Sequence, residues 1–151
     1  MTDFNILRKR YSEVLCGRGH SGKRTADCIL RSDERTEQRL AQLDTRIEKA
    51  ITSNEPGIVN ATLKGILDIS TSFSQNNSRF YHDENIKNKI FNALNALEKV
   101  YNDTIAPQGN WWYWEIGIPL SLNSIFTLMY DYADKSQLKR YMAAERHFND
   151  R

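Results

Sequence analysis

Proline is scarce in this chain, three residues in 151, and glycine is limited to seven. Little therefore interrupts a helix, because these two residue types are the main local breakers. No run of about 18 apolar residues is present, so no membrane-spanning helix is expected. The first residues, Met1-Thr2-Asp3-Phe4-Asn5, lack a basic stretch followed by an apolar one. On that reading the chain carries no export signal and would stay cytoplasmic and soluble where it is made. Cysteine is limited to Cys16 and Cys28, outside any C-x-x-C pair. A bridge closing the loop between them is sterically open, and two thiols are the simpler expectation. The three histidines are His20, His82 and His147. They never fall within one helical turn of each other or beside a carboxylate pair, so no metal site and no cofactor are expected.

Charge of one sign is also missing, the formal net charge being +2. Only residues 1–31 are biased, with seven cations (Arg8, Lys9, Arg10, Arg18, Lys23, Arg24, Arg31) against three anions (Asp3, Glu13, Asp27). Such a segment suits an anionic polymer, or simply a solvated face. It is about 80 residues from the aromatic cluster described below, and no nucleic-acid motif accompanies it, so a nucleic-acid partner is not expected.

What is present is helical periodicity. Thr2 is a fitting N-cap for a helix carrying Phe4, Leu7, Tyr11, Val14 and Leu15, ended by Gly17. Residues 17–32 are polar and aperiodic and read as a loop. Ser32 or Asp33 then caps a second helix with Leu40, Leu43, Ile47, Ala50 and Ile51 on its stripe. It stops at Asn54-Glu55-Pro56-Gly57. A third helix covers about Ile58 to Phe73, followed by a turn at 74–78. Asp83 opens a fourth, with Ile86, Ile90, Phe91, Leu94, Leu97 and Val100 apolar. Residues 102–118 read as an irregular connection. Pro119 sits in the first turn of a fifth helix whose core face is Leu122, Ile125, Phe126, Met129 and Tyr132. Asp134 caps a last helix from Lys135 to Phe148. No strand alternation is visible, and the expected class is all-α, built of antiparallel helical hairpins in one unit, 1–151.

The stretch richest in chemistry is Gly109-Asn110-Trp111-Trp112-Tyr113-Trp114-Glu115-Ile116-Gly117-Ile118-Pro119, which holds all three tryptophans. Four consecutive aromatics cannot all be buried from one loop. Exposed indoles stack on flat apolar surfaces such as the C–H face of a pyranose, and a neighbouring Asn both donates and accepts hydrogen bonds. A plain aromatic core plug and a protein-contact patch are the competing readings. A second run, Gly17-Arg18-Gly19-His20-Ser21-Gly22-Lys23-Arg24-Thr25, superficially matches a phosphate-binding loop. Arg24 stands where the template needs Ser or Thr, and a helix precedes the run instead of a strand, so nucleotide binding is rejected.

The run from Asn110 to Tyr132 closely resembles the N-terminal α-domain of polysaccharide lyase family 8, the hyaluronate, chondroitin and xanthan lyases. The similarity extends back through Phe80-Tyr81-His82-Asp83 and, more loosely, to the Leu40–Ile51 helix and Phe4–Leu15, and forward to Phe148. The resemblance implies part of an incomplete (α/α) toroid. It implies that Trp111 and Trp112 stack on an anionic polysaccharide of the hyaluronan, chondroitin or xanthan class, with Asn110 contacting sugar. Glu115 is then a charge holding the loop, Gly117 a permissive turn and Pro119 a helix start, with Asn123 matching an Asn near that start. Tyr113 departs from the Asp common at its position. The family's β-elimination uses an Asn, a His, a Tyr and an Arg that lie beyond the region matching Phe148, so no catalytic residue is assigned here. His147 is read as a helix-end residue. The family is largely secreted, which contrasts with the N-terminus seen here. A partial toroid would leave apolar helix faces uncovered, so marginal stability, self-association or dependence on a separate remainder is expected. A stand-alone carbohydrate-binding helical module and a helical protein-interaction domain are the alternatives.

Overall fold

The computed structural model describes residues 2–17 and 26–150. The described residues form six α-helices: α1 Asp3–Leu15, α2 Ala26–Ser53, α3 Pro56–Ser74, α4 Glu84–Leu97, α5 Ile118–Met129 and α6 Lys135–Asn149. A π-helical turn, Tyr113–Gly117, runs into α5, and a 3-10 turn, Tyr130–Tyr132, leaves it. No strand occurs among the described residues, and none of their helices is long and apolar enough to cross a membrane. The all-α class read from periodicity is the observed one.

Helix α3 is the central element. Eleven of its nineteen residues are buried, more than a single amphipathic stripe requires, because α2, α4 and α5 pack around it. α2 and α3 form an antiparallel hairpin across Asn54 and Glu55. Asn54 has φ +52°, a left-handed conformation that reverses the chain directly after a helix, and Pro56 then enters α3 where its missing N–H costs nothing. α4 begins at Asp83, whose carboxylate accepts the Ile86 N–H at 3.0 Å. α6 begins at Asp134, which accepts from Ser136 N. Both caps agree with the sequence reading.

Several boundaries differ. α2 starts at Ala26, so residues 26–32 are helical and not loop. Asp33 is therefore no cap but a buried mid-helix carboxylate. Its oxygens accept from Ser78 Oγ at 2.6 Å and Arg79 N at 3.0 Å. A polar residue facing a distant turn reads locally like a helix start, since its partners are 45 residues away. The remainder of the expected loop, 18–25, lies outside the described residues, and with it the phosphate-loop lookalike, His20, Arg18, Lys23 and Arg24. Thr2 does stand at the α1 N-cap, but its side chain makes no cap bond. Tyr132 is not on the core face of α5. It belongs to the 3-10 turn and is 41% exposed. Cys16 is buried and Cys28 exposed.

α1 is the least embedded helix. It buries no residue, and Phe4, Leu7 and Val14 are each more than half exposed. Polar contacts hold it on α5: Tyr11 Oη shares a hydrogen bond with Ser124 Oγ at 3.0 Å, and the Arg8 guanidinium grips Asp131 with two bonds of 3.0 and 3.2 Å while lying over the Tyr130 ring. An open apolar groove of 440 Å³ runs between α1, α5 and α6, lined by Phe4, Leu7, Phe126, Tyr130, Leu138 and Met142 among others.

Candidate functional site

The aromatic run takes its shape from a helix that widens by one residue. Gly109 turns with φ +69°, and Asn110 follows as the cap, its Oδ1 accepting the Trp112 N–H at 3.0 Å. Residues 111–117 are helical, which corrects the expected irregular connection: the chain enters α5 as a helix. Between Tyr113 and Gly117 the helix is of the i+5 type, with Ile118 N donating to the Tyr113 carbonyl. Pro119 supplies a reason. It has no N–H for the Glu115 carbonyl and would press its ring on that oxygen in a regular helix, and the wide turn makes room.

This turn separates the four aromatics. Trp114 points inward and is 1% exposed. Its indole N–H donates to the Gln108 carbonyl at 2.8 Å, its own carbonyl accepts from Tyr101 Oη at 3.1 Å, and its ring packs on Phe148 at 4.8 Å between centroids. Tyr113 lies against Gly57 of α3, where a Cβ would meet the phenol ring at 3.4 Å. Trp111 stands out, 60% exposed, and Trp112 is half-covered at 38%. Trp112 lies against Gly117 and edge-on to the Tyr113 ring. A Cβ on Gly117 would sit 2.6 Å from Trp112 Cζ3, closer than carbon atoms approach. Gly117 has φ −63°, an ordinary helical value, so its role is clearance for the indole and not the permissive turn expected from sequence. Ile116 and Leu120, also exposed, extend an apolar strip along the same helix. Glu115 forms no ion pair among the described residues; as an acid in the first turn of this segment it meets the helix dipole favourably.

Arg8 is committed to Asp131 at the far end of α5. His147 donates Nε2–H to the Ile105 carbonyl at 2.9 Å and packs edge-on against Phe148, a structural role. No group of three or more His, Cys, Asp and Glu able to hold a metal occurs among the described residues. Tyr101 and Tyr141 are buried, and burial pushes both phenols far above their ordinary range, with the Glu145 charge adding to the effect on Tyr101 and that of Glu98 to the effect on Tyr141. Both serve as donors to backbone carbonyls, of Trp114 and Leu94.

Glu145 is a polar feature that sequence reading missed. On α6 it accepts from Asn123 Nδ2 at 3.2 Å, while its other oxygen is sealed from solvent without a hydrogen-bond partner. Burial raises its pKa to about 7, the Asn123 bond opposing. The fold thus prefers the protonated form. This contribution is complete below the ordinary carboxylate pKa and is lost as pH climbs through about 7. The melting temperature is expected to fall between about pH 5 and pH 8, with the decline reduced in Glu145→Gln. An unchanged slope in that variant would mean that Glu145 ionises without cost.

A family model for the polysaccharide lyase family 8 N terminal alpha-helical domain matches residues 27–151. A xanthan lyase of Bacillus sp. (strain GL1) is 28% identical over 151 aligned positions, covering 93% of this chain and 16% of the relative. A hyaluronate lyase of Thermasporomyces composti is 24% identical, covering 98% of this chain and 20% of the relative. Among solved structures, a Paenibacillus xanthan lyase superposes with TM-score 0.71 at 21% identity, covering 97% of this chain and 15% of that one. A Streptomyces coelicolor A3 chondroitin AC lyase in complex with chondroitin sulphate gives TM-score 0.74 at 19% identity, with 97% and 21% covered. The chain spans about a fifth or less of the length of these relatives.

Proposed function

This chain belongs to polysaccharide lyase family 8, matching its N-terminal α-helical domain, and from that membership we propose that it supplies the aromatic grip on substrate for a lyase that cleaves uronic-acid-containing polysaccharide by β-elimination. Its helical hairpins form part of an (α/α) toroid. The supporting observation is the outward presentation of Trp111 and Trp112 from a helical turn that Trp114 anchors in the core. A rigid support matters because a single ring contact is weak, about 0.5–1.5 kcal/mol even between two aromatics, and is spent quickly on ordering a mobile side chain. Asn110 contributes less freely than its type suggests, since its Oδ1 is engaged in capping. Its amide N–H groups and one lone pair of that oxygen remain for a hydroxyl or carboxylate partner.

In this proposal the piece binds and does not turn over. Abstraction of the proton at C5 of a uronate needs a base and a partner that neutralises the carboxylate. His147 is occupied structurally, and Tyr101 and Tyr141 are buried and held neutral. The polymers named by the relatives, xanthan, hyaluronan and chondroitin sulphate, define the class to test.

Titration with oligosaccharides of these three polymers, followed by tryptophan fluorescence, is the direct experiment. Trp111→Ala and Trp112→Ala are each expected to weaken binding by roughly 3- to 10-fold. The unfolding midpoint of Trp111→Ala should barely move, because its ring is substantially exposed. Gly117→Ala should also weaken binding, by displacing the Trp112 ring without touching sugar. Affinity unchanged in all three variants would remove the basis of the reading. No unsaturated uronate product should accumulate with this chain alone.

A further inference from the structure

We propose that Tyr81, backed by His82 and flanked by Tyr132, forms a second ring-stacking site for a pyranose unit of a polysaccharide, at the opposite end of α5 from Trp111 and Trp112. The two sites are separated by the length of that helix, about 18 Å for twelve residues. The inference stands on its own observations and not on the tryptophan pair.

The rings form a ladder from the core outward. Phe73 is buried, and the His82 imidazole lies 5.4 Å from it between centroids. Tyr81 stacks on the imidazole at 3.9 Å with an interplanar angle of 20°. One face of Tyr81 is therefore covered by His82, and the side chain is 43% exposed. A flat aromatic face held outward is the geometry that stacks on the C–H face of a sugar. Tyr132, 41% exposed, stands edge-on to both Phe73 and His82, and its hydroxyl is 3.4 Å from His82 Nε2. That hydroxyl and the imidazole supply polar atoms beside the platform. Lys87 lies over the Tyr132 ring at 5.9 Å, but Glu84 neutralises it at 2.6 Å. The site accordingly favours an uncharged sugar face over a dense anion.

The turn that carries these rings is unusually constrained for a surface segment. His82 has φ +53°, a left-handed conformation that costs a residue with a Cβ roughly 1 kcal/mol. It is held there by its own N–H, which donates to the Phe73 carbonyl at 3.0 Å. The start of the turn is fixed by buried Asp33 through Ser78 and Arg79. A strained residue and a buried carboxylate both serve to set the angle at which Tyr81 meets solvent. A packing role alone would not call for that, since Tyr81 and Tyr132 are left substantially exposed.

The test is an NMR titration of the whole isotope-labelled chain with xanthan, hyaluronan and chondroitin sulphate oligosaccharides, and with a neutral glucan oligosaccharide. Backbone and ring signals of Tyr81, His82 and Tyr132 should shift, and should still shift in the Trp111→Ala/Trp112→Ala double variant. Tyr81→Ala should weaken binding at this end by roughly 3- to 10-fold, whereas Tyr81→Phe, which keeps the ring and the fold, should bind as the parent. Shifts confined to the tryptophans would overturn this inference and leave the first reading in place. Shifts at Tyr81 alone would support it while the tryptophan reading failed. No shift at either end would overturn both.

Discussion

Trp114→Ala is expected to cost about 3–5 kcal/mol of folding stability, the range for removing a large aromatic from a packed core. The indole is 1% exposed and touches two elements that are far apart in sequence, Tyr101 after α4 and Phe148 near the end of α6. Its removal leaves a cavity between them and takes away the indole N–H that the Gln108 carbonyl accepts. Trp114→Phe refills part of the volume but not the hydrogen bond, and should lose about 1–3 kcal/mol. Urea unfolding measures both. The contrast with the neighbouring indoles is the informative part. Trp111→Ala should lie within about 0.5 kcal/mol of the parent, as exposed substitutions do. Three tryptophans within four residues thus divide into one anchor and two presented rings. Trp114→Ala should also weaken saccharide binding, because the turn holding Trp111 and Trp112 loses its fixed point. A stability loss below about 1 kcal/mol would mean that the π-helical turn is held by something other than Trp114.

Asp33→Ala is expected to cost about 2–4 kcal/mol. The carboxylate is 5% exposed and receives two hydrogen bonds, from a hydroxyl and from a backbone N–H. Bonds to a charged acceptor contribute about 1.5–3 kcal/mol, and orphaning a buried donor adds to the loss. The adjacent Arg79–Glu37 pair joins the same turn to α2 at 2.7 Å, but both side chains are about half exposed or more, and such pairs contribute little. Asp33→Asn keeps an acceptor oxygen for one donor and should fall between alanine and the parent. Faster hydrogen exchange at residues 78–83 in Asp33→Ala would locate the damage in the turn. Exchange unchanged there, with full stability, would show that the carboxylate does not hold it.

Much of the fold was legible because its signals are local. Asp83 and Asp134 start helices by chemistry acting within three residues, and the apolar spacing of α3, α4 and α6 declares which face is buried; Pro56, read as part of a stop, in fact opens α3. The errors have two causes, distant partners and a broken local period. Asp33 resembles a cap because its true partners lie beyond the next helix. Residues 111–117 resemble a loop because consecutive aromatics have no 3.6-residue period, and a turn of the i+5 type breaks the period further. Glu145 gave no signal, since its burial depends on how α6 lies against Asn123 of α5.

The amino-acid order by itself determined the all-α class, most of the helix starts and the run of aromatics that marks the family, because caps, prolines and apolar periodicity act over a few residues. Only the tertiary structure decided which indole is anchor and which are offered to solvent, why Gly117 must lack a side chain, and that Tyr81 and His82 stand on a turn held from α2. Those outcomes depend on contacts between segments tens of residues apart, and the free energy of such contacts is set by burial and geometry that no short window of sequence contains.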